Sequence, residues 1–249
     1  EAALITEDLK GSKIISTKKL PQFDAEEWVL ENGAKVVFRK ADYEKDQVQV
    51  ASYSKGGTSL YDVDKLASAM VTDQFIGAYG LGDYDAITLR KLLTGKQAQA
   101  GVSISGLSES VGGASTPKDF ETLMQLIYLR FEKPRFDKEV HQTMMQRNYA
   151  AIENSGNNPQ KIMQDSVSRI MSNYSPRTLS FGKEFLDKVS IEQIEEIYRD
   201  RIKDISDFTF FIVGNIDAET VKPLVEKYLG SVKSYNRKEN WIDRKVRGP

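Results

Sequence analysis

The chain reads as an α+β fold, a two-layer sandwich in which a mostly antiparallel or mixed sheet is covered by helices on one face. Three observations predict it. Asn32-Gly33 sits between strand-like runs at 27–31 and 34–39, and this dipeptide best satisfies the two positive φ angles of a tight hairpin turn. Helical apolar spacing then recurs in blocks instead of alternating one for one with strands, which argues against a doubly wound parallel sheet. Residues 208–213 form one continuous apolar run of strand length between helical patterns. With 249 residues, 40% of them hydrophobic, the chain can bury a substantial core at the upper edge of single-domain size.

In chain order, residues 1–24 mix charges with Gly11 and Pro21 and lack periodicity, so they read as a linker or extended arm from a preceding domain. The domain itself is expected over 25–233. After the hairpin, residues 48–54 alternate as a third strand that Lys55-Gly56-Gly57-Thr58 closes. A helix follows, capped by Asp62 or Asp64, with Val63, Leu66, Ala67, Met70, Val71 and Phe75 near helical spacing until Gly77 and Gly80. Asp83 or Asp85 caps a second, short helix through Leu93. Residues 97–105 and 109–115 read as a strand pair around Gly106, after which Thr116-Pro117 starts a helix with Phe120, Leu123, Ile127 and Phe131 on its buried stripe.

Residues 136–153 and 161–171 carry two more helical patterns, separated by Ser155-Gly156-Asn157-Asn158-Pro159. Ser190 with Gln193 is a capping-box signature for a helix whose stripe is Ile191, Ile194, Ile197, Tyr198 and Ile202. Gly214-Asn215 ends the apolar strand, and a last helix spans 218–228 with Pro223 expected in its first turns. Residues 234–249 turn polar and charged and read as the linker to a following domain.

Composition excludes several functions. Lys plus Arg (35) balance Asp plus Glu (36), which leaves no basic footprint for nucleic acid. No run approaches the ~20 apolar residues of a membrane-spanning helix, and residues 1–9 lack the order of a signal peptide. With no cysteine and one histidine, His141, the chain cannot assemble an ordinary zinc site, so no metal ligand is expected in it. His141, in the polar stretch 138–147, reads as a solvated helix residue. Gly77-Ala78-Tyr79-Gly80-Leu81-Gly82 reverses the dinucleotide-binding spacing and follows a helix, and Gly95-Lys96 lacks the rest of a phosphate loop. Ser103, Ser105, Ser108 and Ser110 have no nucleophile-elbow context.

The runs Trp28-Val-Leu-Glu-Asn-Gly-Ala-Lys-Val-Val-Phe38, Ser54-Lys-Gly-Gly-Thr-Ser59, Phe211-Ile-Val-Gly-Asn-Ile-Asp217 and Lys227-Tyr-Leu-Gly230, in this order, resemble the insulinase/pitrilysin (inverzincin) metallopeptidases over about residues 26–232. The resemblance implies the metallopeptidase-repeat, LuxS/insulinase-like architecture. Active repeats of that family carry His-x-x-Glu-His on the helix after the third strand, two imidazoles on one helical face beside a glutamate base. Here Ser68, Val71 and Thr72 stand at those positions, and none is a zinc ligand or a neutral-pH base. The third ligand maps near Tyr149-Ala150-Ala151, with Glu153 one turn away.

The resemblance therefore implies a non-catalytic repeat, the third of a four-repeat chain, with zinc held in the N-terminal half of the parent protein and no cofactor in this chain. Its expected role is a structural and substrate-chamber domain of a zinc metalloendopeptidase, with other repeats and a peptide substrate as partners. The chain alone is expected to be inactive. The family look suggests a bacterial periplasm or cell envelope. The alternative is a non-enzymatic scaffold or binding subunit of the same fold, and an independent enzyme would need a buried acid pair. Within the chain, Gly113, Ala114 and Ser115 are the candidate peptide contacts if their strand is a sheet edge with free amides; the alternative is ordinary sheet bulged at Gly112-Gly113.

Overall fold

A computed structural model describes residues 3–42 and 45–247; positions 1, 2, 248 and 249 of the two expected linkers lie outside the described residues. The strands are β1 (Ile14–Leu20), β2 (Ala25–Leu30), β3 (Lys35–Lys40), β4 (Val48–Lys55), β5 (Ala98–Ile104), β6 (Ser108–Ser115) and β7 (Thr209–Gly214). They form one sheet in the order β1-β2-β3-β7-β4-β6-β5. Every neighbouring pair is antiparallel except β3–β7. The last strand thus takes the centre, as suits a run whose Phe210 and Ile212 are fully buried.

The helices are α1 (Val63–Ile76), α2 (Ala86–Leu92), α3 (Phe120–Glu132), α4 (Lys138–Ser155), α5 (Pro159–Met171), α6 (Lys183–Asp187), α7 (Ile191–Arg201) and α8 (Ala218–Tyr228). Trp28, Val36, Phe38, Val48, Val50, Val111, Phe210 and Ile212 belong to one core cluster with α1, α3, α7 and α8 side chains such as Phe75, Leu123, Ile127, Ile194 and Val225. Each fully buried Leu, Ile or Phe contributes on the order of 2 kcal/mol relative to exposure. The sheet's other face is open, with Phe211 and Tyr53 40% and 47% exposed.

The β2–β3 hairpin forms where expected, by a different turn. Only Gly33 takes a positive φ, +88°. Gly33 N–H donates to Leu30 C=O and Leu30 N–H to Ala34 C=O, the pattern of a three-residue loop with a left-handed glycine. Asn32 instead sends its side-chain amide to Leu229 C=O (2.9 Å) and Val232 C=O (3.0 Å), clamping the hairpin to the end of α8.

Other expectations shift. Within the stretch read as an arm, β1 is an edge strand on β2. The helix expected to open at Thr116-Pro117 begins at Phe120, because those two residues are spent on a turn closed by Asp119 N–H to Thr116 C=O. Pro223 is the sixth residue of α8, in its second turn, as expected. It is tolerated because both Pro223 and Glu219, whose carbonyl loses its donor, are exposed and can be satisfied by water. Residues 233–247 run back along the domain: Tyr235 and Arg237 N–H donate to Asp204, Glu239 N–H to Asp207 and Ile242 N–H to Ser59 Oγ. Asp85 caps α2, its carboxylate accepting from Thr88 N–H.

Candidate functional site

The residues at the metal-motif positions lie on α1, and all three are buried: Ser68 and Thr72 are 0% exposed and Val71 6%. Ser68 Oγ donates to Gln193 Oε1 at 2.7 Å and accepts from Ser190 N–H at 3.1 Å. At the start of α7, Ser190 Oγ accepts Gln193 N–H at 3.2 Å, as the capping signature predicts. The return arm of that box is missing, because Ser68 occupies both groups that would form it. Thr72 Oγ1 donates back to Ser68 C=O at 2.7 Å, and Val71 joins the core cluster. Where an active repeat would present ligands, this chain has a hydrogen-bonded and apolar tie between α1 and α7. The donor set does not fit zinc: it offers two hydroxyls already committed and a methyl-bearing side chain.

The third-ligand region of α4 is equally unsuited. Tyr149 O–H donates to Asp187 Oδ1 at 2.6 Å, while Ala150, Ala151 and Glu153 are exposed. That bond holds the Asp187 carboxyl below its usual range and raises the Tyr149 hydroxyl. Among the described residues, no group of three His, Asp or Glu side chains is arranged to hold a metal ion.

His141 corrects the sequence expectation. It is 8% exposed, not solvated: its Nδ1 lies 2.8 Å from Tyr79 Oη and its ring 5.6 Å from that of Phe75. Burial holds the imidazole below its ordinary value, partly opposed by Glu192, and burial likewise raises the Tyr79 hydroxyl. The polar neighbours of His141 in sequence misled because the first turn of α4 lies against the end of α1, a contact invisible to local patterning.

The Gly56-Gly57 turn is a buried structural joint. Arg201, fully buried on α7, donates through Nη1 to Glu109 Oε1 (3.0 Å), through Nε to Tyr61 Oη (3.0 Å) and through Nη2 to Glu239 (2.9 Å) and Asp200 (3.1 Å). Gly57 N–H donates to the same Glu109 oxygen, and Tyr61 O–H to Asp200 at 2.6 Å. Gly56 sits at φ +144°, where a Cβ would lie 2.0 Å from Arg201 Nη1, so only glycine lets the guanidinium close over the turn. Burial pushes the Glu109 carboxyl up, opposed by the Ser54 hydroxyl, the Arg201 charge and Gly57 N–H. Arg201 keeps its charge: burial opposes it, and the surrounding Tyr61, Glu109 and Asp200 outweigh that.

The candidate peptide contacts Gly113, Ala114 and Ser115 lie on β6, which pairs with β4 on one side and β5 on the other. It is not an edge, so the premise for strand addition there fails. Nor is there a bulge: Val50 faces Gly113 and Ser54 faces Glu109, the same register on both sides of residues 51–53. The glycines permit close strand approach instead, since a Cβ on Gly112 would meet Val50 O at 2.3 Å and one on Gly113 would meet Gln99 O at 1.9 Å. Ser52 Oγ completes the β4–β6 ladder, donating to Val111 C=O and accepting from Val111 N–H.

The edge on this side is β5. Gln97 C=O accepts Thr116 N–H and Ser105 N–H donates to Ser108 C=O, so odd-numbered residues face β6. The backbone of Ala98, Ala100 and Val102 therefore faces away from β6; on this side Ala100 C=O accepts Arg130 Nη2 at 3.4 Å and Ile104 N–H, of the same parity, is capped by Asp73. Farther in, beyond β6, the open face shows Val37, Phe211 and Ala51 in one row across β3, β7 and β4. The interior position of β6 could not be read locally, because its second neighbour β4 is distant in sequence, with Ser52 and Val111 59 residues apart where the two meet.

Residues 188–247 match a family described as the peptidase M16 inactive domain. Over 237 residues the chain is 24% identical to the probable zinc protease PqqL of Haemophilus influenzae, covering 91% of this chain and 24% of that protein. It is 21% identical over 236 residues to the probable zinc protease PqqL of Escherichia coli, covering 92% and 24%. The crystal structure of the periplasmic protease PqqL from Escherichia coli matches with TM-score 0.85 at 17% identity, over 100% of this chain and 27% of that one. The ferredoxin protease FusC, solved in complex with Arabidopsis ferredoxin, matches with TM-score 0.79 at 16% identity, over 99% and 27%. The chain thus spans about a quarter of the length of the curated relatives it matches.

Proposed function

We infer that this chain, an inactive repeat of the insulinase/pitrilysin-type (peptidase M16) zinc metallopeptidases, serves as a non-catalytic wall of the substrate chamber in a longer zinc metalloendopeptidase. The observation that carries the reading is the sheet with helices on one side only. Its open face, with Tyr53 and Phe211 in solvent, is free to look into a chamber. A wall of this kind aids catalysis by orienting a peptide and excluding water, without bond-making residues of its own. Zinc, a Lewis acid that activates water, belongs in this reading to an N-terminal repeat; Ser68, Val71 and Thr72 do not fit it.

Peptide is held against the open face, with the outward amides of Ala98, Ala100 and Val102 on β5 as the place for an extended segment to add. The chain stands as the third of four repeats, in a protein of the bacterial periplasm or cell envelope. Two properties of relatives support this: zinc-protease names, and a periplasmic location for the Escherichia coli protein.

Metal analysis and a quenched-peptide assay on this chain, beside the longer polypeptide, test the reading. A zinc-free, inactive chain beside an active, zinc-loaded polypeptide is expected. Stoichiometric zinc with chelator-sensitive cleavage by the chain alone would overturn it. A longer polypeptide lacking His-x-x-Glu-His in every repeat would instead leave the scaffold reading.

A further inference from the structure

Where β4 and β5 begin and β6 ends, the sheet carries an open cleft of about 650 Å³ whose walls include Gln47, Gln97, Gln99, Ala114 and Ser115. The strand register builds it. Gln49 and Gln99 both face Ala114, from β4 and β5, so a single methyl group lies between two glutamines in one row on the open face. In the next row, on the helix-covered face, Val48 and Ala98 both face Ser115, and the outer strand again contributes only a methyl group. One end of the cleft is fixed by Asp119, whose Oδ2 accepts Gln97 N–H at 2.8 Å and Thr116 O–H at 3.3 Å.

The hydrogen-bonding groups of this cleft are left open. Ser115 is 5% exposed, and its Oγ is buried without a hydrogen-bond partner among the described residues. A buried hydroxyl in that state calls for a partner supplied by water or by a ligand. No hydrogen bond among the described residues engages the side-chain amides of Gln97 and Gln99. Gln47 spends its Oε1 on Gln49 Nε2 at 3.4 Å and keeps its own amide donors. Lys45 and Asp46 add one charge of each sign, so the lining is neutral overall. Along one side runs the β5 edge, where the backbone of Ala98 faces away from β6.

We propose that this cleft is a subsite for uncharged amide side chains, glutamine or asparagine, of an extended peptide that adds to β5. The proposal deepens the reading of this chain as a wall of a peptide chamber and rests on it. An added strand sends consecutive side chains to opposite faces. The residue opposite Gln99 stands beside the Gln99 amide, with Gln97 on the same face two positions along, as in an amide ladder. Its neighbour opposite Ala98 looks past a methyl group towards Ser115. The chemistry of the walls selects the class. A hydroxyl and primary amides each donate and accept, and a glutamine or asparagine side chain does both. A carboxylate only accepts, an ammonium only donates, and an aliphatic side chain leaves every one of these groups without a partner.

Blocked hexapeptides of sequence Ac-Val-Thr-X-X-Thr-Val-NH2, with both X residues Gln, Leu, Glu or Lys, test this. They are titrated into the 249-residue chain and followed by backbone amide NMR. Shifts are expected at residues 97–102 and 114–116, and the Gln-Gln peptide should bind about fivefold or more tighter than the other three. S115A should bring the Gln-Gln peptide down to the affinity of the Leu-Leu peptide without lowering the Tm, because the hydroxyl it removes serves no contact of the fold. Q99A, at an exposed position, should do the same with the fold intact.

Equal affinity for the four peptides would overturn the proposal, as would tightest binding of Glu-Glu or Lys-Lys, or shifts confined to other parts of the chain. A fall in Tm on S115A would also sink it, since the hydroxyl would then belong to the fold. Quenched versions of the same peptides, given to the longer polypeptide, separate this proposal from the chamber wall. Zinc-dependent cleavage with no preference for Gln-Gln in cleavage or binding keeps the wall and removes the subsite. Gln-Gln selectivity in the chain beside a zinc-free, inactive polypeptide does the reverse.

Discussion

Arg201→Met probes the joint between α7, β6, the Gly56-Gly57 turn and the strap at 233–247. Arg201 and Glu109 are both 0% exposed and 3.0 Å apart, and Met fills most of the same volume. The substitution leaves Glu109 buried with two neutral donors, Gly57 N–H and the Ser54 hydroxyl, in place of a charged one. Removing one member of a buried pair typically costs about 3–5 kcal/mol, because the survivor stays uncompensated. For a chain of this size that corresponds to a fall of roughly 6–20 °C in Tm.

The pH dependence gives the cause away. The Glu109 carboxyl is already raised by burial, so its contribution is fully present below the ordinary carboxylate pKa of about 4.3 and is lost as pH rises through the higher folded value. Without Arg201 that folded value rises further. The deficit of the variant should be largest near neutrality and shrink on acidification, and the double variant E109Q/R201M should recover most of it. Urea titrations at several pH values measure this. A loss below about 1 kcal/mol, or one that neither acid nor E109Q relieves, would refute the argument that an uncompensated buried charge is responsible.

The triple change S68H/V71E/T72H rewrites the metal motif. It should bind no zinc by metal analysis and should unfold the chain or lower its Tm by many degrees, since the two fully buried positions have no room for imidazoles. Recovery of stoichiometric zinc in a folded variant would show that the site is only three side chains from competence. G56A should cost about 2 kcal/mol or more in chemical denaturation, from a left-handed φ of +144° and the clash with Arg201. Wild-type behaviour would mean that the Arg201 guanidinium does not close over the turn. Because burial depresses His141, its stability contribution is present above about pH 6.5 and is lost as pH falls through the lower folded value. H141Q should flatten the Tm profile between about pH 5 and 7, and an unchanged profile would place that sensitivity elsewhere.

The resemblance to inactive metallopeptidase repeats was legible because it rests on local chemistry. A left-handed glycine must end the β2–β3 turn, Ser190 must cap α7, and no histidine or cysteine stands at positions 68–72. Helix periodicity likewise located α1, α3, α7 and α8 to within a few residues. These features depend on φ/ψ preference, side-chain reach of one turn and residue type, all of which are present in a short window.

What the sequence by itself determined, then, is β2 to β7 and every helix but α6, the two-layer class and the lack of metal ligands. Tertiary structure decided the rest. It made β1 a strand by giving it β2 to pair with, set β7 between β3 and β4, placed β6 in the interior between β4 and β5, and buried His141 against Phe75 and Tyr79. It also turned Ser68 from an empty ligand position into the partner of Ser190 and Gln193, over 120 residues away in sequence. Such contacts are chosen by which apolar faces find one another when the whole chain collapses, and no window of neighbouring residues holds that information.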